Sequence, residues 1–310
     1  MKLVLSAPSK TFLLGEYAAL VGCPSLVLNT EPRFELSLEQ SSSFTIEGIE
    51  VGSPAGRFIQ DYQTFFKPYN LKFTDPHRQQ GGFGASSAQF LMVYYLYQIL
   101  QKFNKNLIAE TKLLTRLLDP QQLDFRADLL TTYLHYAWNG TGIAPSGADI
   151  VGQLYGQITW FDKFNNLTKS LTWPFPDLQP LLIRTGVKVA THEHLKQLTN
   201  IPAKPFAAIL ASAYQSLNET NEPIFLQAIK DYAETLAIHQ FVAPTTQILL
   251  HKLAQLPYIL AAKGCGALGA DVILCLVRQQ NLINLQTWLN QQNLHYFIAD
   301  ISSGLQASNR

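Results

Sequence analysis

The sequence predicts an α+β chain in two parts, and three stretches carry that expectation. The first is a series of short apolar runs separated by turns, KLVLSA, TFLLGEYAAL, SLVLNT, RFELSLEQ and SFTIEG, whose composition suits strands. The second is SSAQFLMVYYLYQILQKF, where Phe90, Val93, Tyr94, Tyr97 and Leu100 recur at helical spacing and no charge occurs before Lys102, which predicts a buried helix. The third is NNLTKSLTWPFPDLQP, where Pro174, Pro176 and Pro180 break regular structure and mark a boundary, so the expected parts are 1–173 and 174–310.

Taken in order, helices are expected around 107–118 and 121–138, on either side of Pro120. The loop NGTGIAPSGAD then leads to a short helix and the strand GQITWF. After the boundary come the strand LLIRTG, helices near 205–219, 223–241 and 244–256, and a glycine turn. The apolar, β-branched run DVILCLV reads as a buried strand, followed by a helix near 281–292 and a last strand, LHYFIAD.

Bulk chemistry narrows the function classes. The 310 residues are 47% hydrophobic and 15% charged with a net charge of +1, and there is no long Lys/Arg run, so nucleic acid is not expected as a partner. No apolar run is long enough to cross a bilayer, and none is expected to. Pro8, Lys10 and Glu16 interrupt what would be the apolar core of a signal peptide in MKLVLSAPSKTFLLGEY. Cys23, Cys265 and Cys275 cannot all pair and show no C-x-x-C spacing, which fits a reducing, cytoplasmic compartment.

Three loops point to chemistry. GGFGASSAQF, Gly81 to Phe90, sets glycines and two serines at the start of a buried helix, where backbone N–H groups and the positive helix end favour a phosphate; the plain alternative is that Ser86 or Ser87 is an N-cap. APSKTFLLGEYAAL carries Lys10 at the end of an extended run, and IAPSGADIVGQLYG carries Ser146 and Asp149 at the start of a helix. KGCGALGAD satisfies G-x-G-x-x-G as letters, but a helix-like segment, LLHKLAQLPYILAA, precedes it and a strand follows, the reverse of what a dinucleotide site needs. It is kept as a glycine turn that lets backbone approach a neighbour closely.

In this order the stretches resemble the GHMP kinases, named for galactokinase, homoserine kinase, mevalonate kinase and phosphomevalonate kinase. Pro8-Ser9-Lys10 with Gly15-Glu16-Tyr17-Ala18 is similar to that family's first motif, GGFGASSA to its phosphate loop, PSGAD to its S-G-x-D, and KGCGALGAD to its third motif. The resemblance implies a two-domain fold, ribosomal-protein-S5-domain-2-like then ferredoxin-like, and an ATP- and Mg²⁺-dependent kinase of a small anionic acceptor, acting as a monomer or homodimer. It implies catalytic roles for Asp149 and Lys10, phosphate contacts from Gly82, Gly84, Ala85 and Ser86, and Mg²⁺ on Ser87. Gly266 and Gly269 would support the nucleotide, and Glu16, Tyr17, Arg78, Ser146, Lys188 and His192 would lie toward the acceptor, with His194 a further cation.

Within the family the details lean to phosphomevalonate kinase and the mevalonate route to isoprenoids. Tyr17 stands where mevalonate kinases usually have His, Asp149 is followed by Ile150-Val151 where they have Asn, and Asp271 closes the third motif. RTGVKVATHEHL is similar to a stretch that opens the second domain in that enzyme. Departures are Gln79-Gln80, with Arg78 before them, in place of a lysine; Trp138 and Asn139 where mevalonate kinases carry a second metal-binding glutamate; Ser9 for Gly; and Leu268 and Ala270 for Gly.

Overall fold

The computed structural model describes residues 2–78, 81–103, 123–186, 201–270 and 272–309. The chain is α+β, as expected. It forms two compact units, neither continuous in sequence: one of Met1–Lys10, Asn29–Gly156 and Ser302–Arg310, the other of Thr11–Leu28 and Gln157–Ile301. The boundary expected at 173/174 falls inside the second of these.

In the first unit, β1 (Lys2–Leu14) and β2 (Ser25–Gln40) each merge two of the expected short runs, and both strands continue into the second unit. β3 (Thr45–Glu47) pairs parallel to β4 (Tyr69–Thr74), which pairs antiparallel to β2. The chain end returns as β11 (Gln306–Asn309) beside β1, so the sheet runs β11-β1-β2-β4-β3. β11 pairs with Leu3 to Ser6 only. Pro8 has no N–H to give a ladder, and it lies two residues past that register, where no β11 neighbour needs one.

Two helices not expected in the strand-rich first third, α1 (Pro54–Asp61) and α2 (Gln63–Phe66), follow β3. Their signal was present: Ser53 Oγ accepts the Gly56 N–H at 3.0 Å and Pro54 takes the first helical position. Helix α3 (Ala85–Phe103) is the expected buried helix, with Phe90, Leu91, Met92, Val93, Tyr94, Tyr95 and Leu96 all buried, so it is apolar around its circumference. Phe58 of α1 packs its ring against Phe90, Tyr94, Tyr97 and Tyr136, the last on α4 (Leu123–Ala137). The helix expected at 107–118 lies outside the described residues. Helix α5 (Ala148–Tyr155) is the short helix expected after the loop.

Arg33 of β2 ties the ends of this unit together. Its guanidinium donates to Ser6 Oγ and Ser6 O at 3.0 and 2.8 Å, to Ser302 Oγ at 2.6 Å, and to Ser303 O and Gly304 O at 2.7 and 2.6 Å. Gly304 is required there: a Cβ on it would lie 2.0 Å from Leu154 O.

In the second unit the first residues of β2 pair with β5 (Ile158–Asp162), which pairs with β6 (Leu167–Leu171). The proline-rich boundary segment therefore begins with a strand; β6 is mostly exposed and ends three residues before Pro174, so the prolines do not conflict with it. A second, antiparallel sheet runs β10 (Tyr296–Ile298), β7 (Leu178–Arg184), β9 (Val272–Arg278), β8 (Ile259–Cys265). Leu181, Ile183, Ile273, Cys275 and Val277 of this sheet form one core with Leu253 of α8 (Pro244–Ala254) and Leu285 and Leu289 of α9 (Leu282–Gln291). Helices α6 (Ala203–Asn218) and α7 (Glu222–Ile238) bury Phe206, Leu210, Phe225 and Tyr232. The segment LPYILAA, expected as helix-like, is corrected: α8 ends at Ala254 and Ile259–Cys265 is a strand, because Pro257 cannot extend a helix and disfavours helical backbone before it. No helix among the described residues is long and apolar enough to cross a membrane.

Replacing Arg33 by Met is expected to lower unfolding stability by about 2–3 kcal/mol, since it strands three carbonyls that each lose a charged donor. The urea midpoint should fall with the far-UV spectrum in water unchanged; an unaltered midpoint would show that the tail is not held by this side chain.

Candidate active site

In the first unit four separated segments meet around Lys10 and Asp149. Lys10 Nζ lies 2.9 Å from Asp149 Oδ2, and the two side chains are 10% and 34% exposed, so the lysine is enclosed while the carboxylate is reachable. The glycine loop is bonded to β1 through the Lys10 N–H, which donates to Phe83 O at 2.9 Å. Gly82 and Gly84 have φ of 97° and 85°, the left-handed region that favours glycine. Space demands it as well: a Cβ on Gly84 would lie 2.7 and 2.8 Å from Lys10 Cγ and Cε. The lysine stem therefore runs across the glycine, and its ammonium reaches Asp149.

Helix α3 starts at Ala85, with Gly84 O accepting the Ala88 N–H at 3.0 Å, so neither serine is the cap; both lie in the first turn. Ser86 is exposed and Ser87 buried. The N–H groups of Ala85, Ser86 and Ser87 belong to the first turn, where a helix offers no carbonyl partner, and this is a ready cradle for phosphate oxygens. Ser87 Oγ donates toward Gln153 Oε1 at 2.7 Å and Gly84 O at 3.0 Å.

Asp149 sits in the first turn of α5, where a negative charge suits the helix end. Ser146 Oγ accepts the Ala148 N–H at 3.2 Å and so shapes the turn into that helix. Gly147, at φ 80°, fits because a Cβ would lie 2.1 Å from Leu130 Cδ1. Burial first, and then the charge of Asp149, push the Tyr133 phenol well above its ordinary range, so Tyr133 stays neutral near the carboxylate.

Sequence reasoning missed two residues here. Gln153 has no motif letter to announce it, although its place one turn after Asp149 puts both on one helix face. His77, buried after β4, stacks on Phe83 with ring centroids 4.1 Å apart, and its Nε2 lies 2.6 Å from Ser9 Oγ. Ser9 donates to Pro32 O at 2.6 Å, which leaves Nε2 as the donor to the serine. The serine that replaces a motif glycine is thus built into the back of the glycine loop.

In the second unit lie Glu16, Tyr17, Gly266 and Gly269. Of KGCGALGAD, Lys263–Cys265 end β8 and the turn that follows carries Gly266 and Gly269 at φ 85° and 56°. Leu268 also has positive φ, 53°, which costs a non-glycine residue about 1–2 kcal/mol. Its N–H donates to Tyr17 Oη at 2.6 Å and its carbonyl accepts from Ala243 N at 2.7 Å, while Tyr17 stacks on Phe241 at 4.3 Å. Glu16 is buried and forms an ion pair with the fully buried Lys263, whose ammonium also lies 3.4 Å from Phe12 O and 3.3 Å from Cys265 Sγ. Tyr232 Oη donates to Glu16 O at 2.7 Å. Burial by itself pulls the Lys263 ammonium down, but Cys265 Sγ and the Glu16 carboxylate beside it outweigh that and hold its pKa above the usual lysine range. Burial pushes the Cys265 thiol up, so Glu16 supplies the counter-charge near neutrality.

Arg78 is exposed, with left-handed backbone, in the turn after β4. Gln79, Gln80, Lys188, His192, His194 and Asp271 lie outside the described residues. Among the described residues no group of three or more His, Cys, Asp and Glu is placed to cage a metal. The donors at hand, one carboxylate and the loop hydroxyls, suit Mg²⁺, which is held through one or two carboxylates and substrate phosphates rather than by an all-protein cage.

The sequence matches no protein-family model, and no curated protein matches it significantly. Solved structures do match. Mevalonate kinase of Methanococcus jannaschii is similar at a TM-score of 0.70 with 13% identity, over 97% of this chain and 98% of that one. Phosphomevalonate kinase of Streptococcus pneumoniae is similar at 0.69 with 16% identity, over 97% and 100%. Galactokinase of Lactococcus lactis, complexed with galactose, is similar at 0.70 with 10% identity, over 98% and 95%. The chain has the GHMP kinase fold along nearly its whole length.

Lys263→Met leaves Glu16 buried without its cation and is expected to destabilise the protein by about 3–5 kcal/mol in chemical denaturation, with Glu16→Leu in the same chain recovering most of the loss. Because the lysine pKa is raised, the pair's contribution should be constant through neutral pH and fade only as pH rises past the ordinary lysine value of about 10.4 toward the folded one. A loss of stability at pH 6–8 specific to this pair would contradict the assignment.

Proposed function

We propose that the chain is an ATP-dependent phosphotransferase acting on a small anionic acceptor, phosphomevalonate by the motif detail above. The observation that carries the reading is the Lys10–Asp149 pair at 2.9 Å, with the lysine stem laid across a glycine where a Cβ would press on that stem. In phosphoryl transfer a bond forms from the acceptor oxygen to the γ-phosphorus and the bond to the β–γ bridging oxygen breaks; catalysis is mostly positioning and charge neutralisation. The first-turn N–H groups of α3 and the backbone at Gly82 and Gly84 would bind phosphate oxygens. Mg²⁺, when bound with the nucleotide at Ser87, would neutralise charge on the phosphates. Lys10 holds Asp149 in place and offers positive charge beside the transferred group.

With a hydroxyl acceptor such as mevalonate, Asp149 takes the proton. With a phosphate acceptor, whose second pKa is about 6, the attacking oxygen is already ionised near neutrality, and Asp149 acts by orientation. That acceptor needs cations, for which Arg78, Lys188 and His192 are the proposed sources. A second reading, a non-catalytic sensor that binds ATP and a small ligand, is favoured by one observation: Leu268 and Ala270 replace glycines in the third motif, and Leu268 holds φ 53°.

The deciding measurement is ADP release with Mg-ATP and mevalonate, phosphomevalonate, homoserine or simple sugars. Turnover with phosphomevalonate is expected. With whichever acceptor is used, Lys10→Met should cut kcat while ATP binding persists; Asp149→Ala should cut it by about 10²–10⁴-fold for a hydroxyl acceptor and less for a phosphate. ATP binding with no turnover on any acceptor would replace the kinase reading by the sensor.

A further inference from the structure

We infer that Gln153 is a positioning residue of the phosphate site, acting through Ser87 and the glycine loop; the inference rests on the phosphotransferase reading above. Gln153 is fully buried, and its carboxamide uses both ends. Nε2 donates to Pro8 O at 2.8 Å and to Gly84 O at 3.1 Å, while Oε1 accepts from Ser87 Oγ at 2.7 Å. One side chain thus joins the strand that carries Lys10, the glycine of the loop and the first turn of α3, and it does so from the helix that carries Asp149.

Two consequences follow from hydrogen-bond chemistry. The two N–H donors set how far Gly84 stands from β1, and so how closely the loop presses on the lysine stem. A serine hydroxyl has a single hydrogen, and both partners of Ser87, Gln153 Oε1 and Gly84 O, are pure acceptors. The hydrogen is therefore turned inward, and Ser87 has only lone pairs to offer outward, which suits a cation and not a phosphate oxygen. Gln153 acts as outer-shell residues do at metal sites, fixing what an inner ligand presents.

The functions of the two ends separate by substitution. Gln153→Met removes all three bonds at similar length. Gln153→Glu keeps an acceptor for the Ser87 hydrogen but sets a carboxylate oxygen against the carbonyls of Pro8 and Gly84. ATP affinity measured by calorimetry with and without Mg²⁺ reads both. Gln153→Met should lower affinity for Mg-ATP by about 10–100-fold and affinity for metal-free ATP much less. Gln153→Glu should weaken both forms together, retaining the native ratio between them. In a Ser87→Ala chain, Gln153→Met should no longer change that ratio, since contacting residues couple. If Gln153→Met does not fold, Gln153→Glu against Ser87→Ala carries the test, with the ratio kept in the first and lost in the second. Equal losses with and without Mg²⁺ in Gln153→Met, a ratio lost in Gln153→Glu, or additive effects with Ser87→Ala would each overturn the inference while leaving the kinase reading standing. Wild-type protein that binds no ATP in either form would overturn the kinase reading, and this inference with it.

Discussion

The Lys10–Asp149 ion pair is built where β1 outruns its neighbour β11. The chain end pairs with Leu3 to Ser6 and stops, which leaves the backbone from Pro8 to Lys10 to find other partners. Buried backbone groups must be bonded, and here the partners are Gln153, at Pro8 O, and Phe83 O, at the Lys10 N–H. A sheet edge that would otherwise need covering is thereby turned into the floor of a glycine loop. Gly84 lies against the lysine stem, and α5 brings Asp149 to the ammonium. The segment just before the last strand, Ser302–Gly304, is held by Arg33 of β2, which also bonds Ser6 of β1.

The second unit solves a different problem. Its third-motif hairpin carries a leucine where glycine would be unstrained, and the strained turn is held by bonds to both backbone groups of Leu268. Tyr17 supplies one of them, and the residue before it, Glu16, is tied to Lys263 at the base of the same hairpin. A buried pair of this kind contributes little net stability compared with an apolar replacement, but losing either partner is costly. Within this unit the pair joins the segment that carries Glu16 and Tyr17 to β8.

Two of the departures from the motifs that the sequence resembles, Ser9 and Leu268, have physical explanations in the bonds around them. Ser9, in place of glycine, is accommodated because its hydroxyl is bonded on both sides, to Pro32 O and to His77. Leu268 is accommodated by Tyr17, whose hydroxyl accepts its N–H. Each of these two residues is held by a partner of its own.

The sequence by itself determined the α+β class, the buried helix after the glycines, the order of the loops, and Lys10 and Asp149 as the charged groups to watch. The first three rest on local signals, apolar period and glycine where backbone must turn sharply, whereas Lys10 and Asp149 were singled out by the resemblance of the motifs around them. Tertiary structure alone decided that β1 and β2 are each one long strand, that Gln306–Asn309 returns to β1, and that a strand opens the proline-rich segment. It also decided the pairings Glu16–Lys263, Ser9–His77 and Ser87–Gln153, separated by 247, 68 and 66 residues. Such bonds leave no periodic trace in a single sequence, because each depends on which buried donor the fold happens to bring to which buried acceptor.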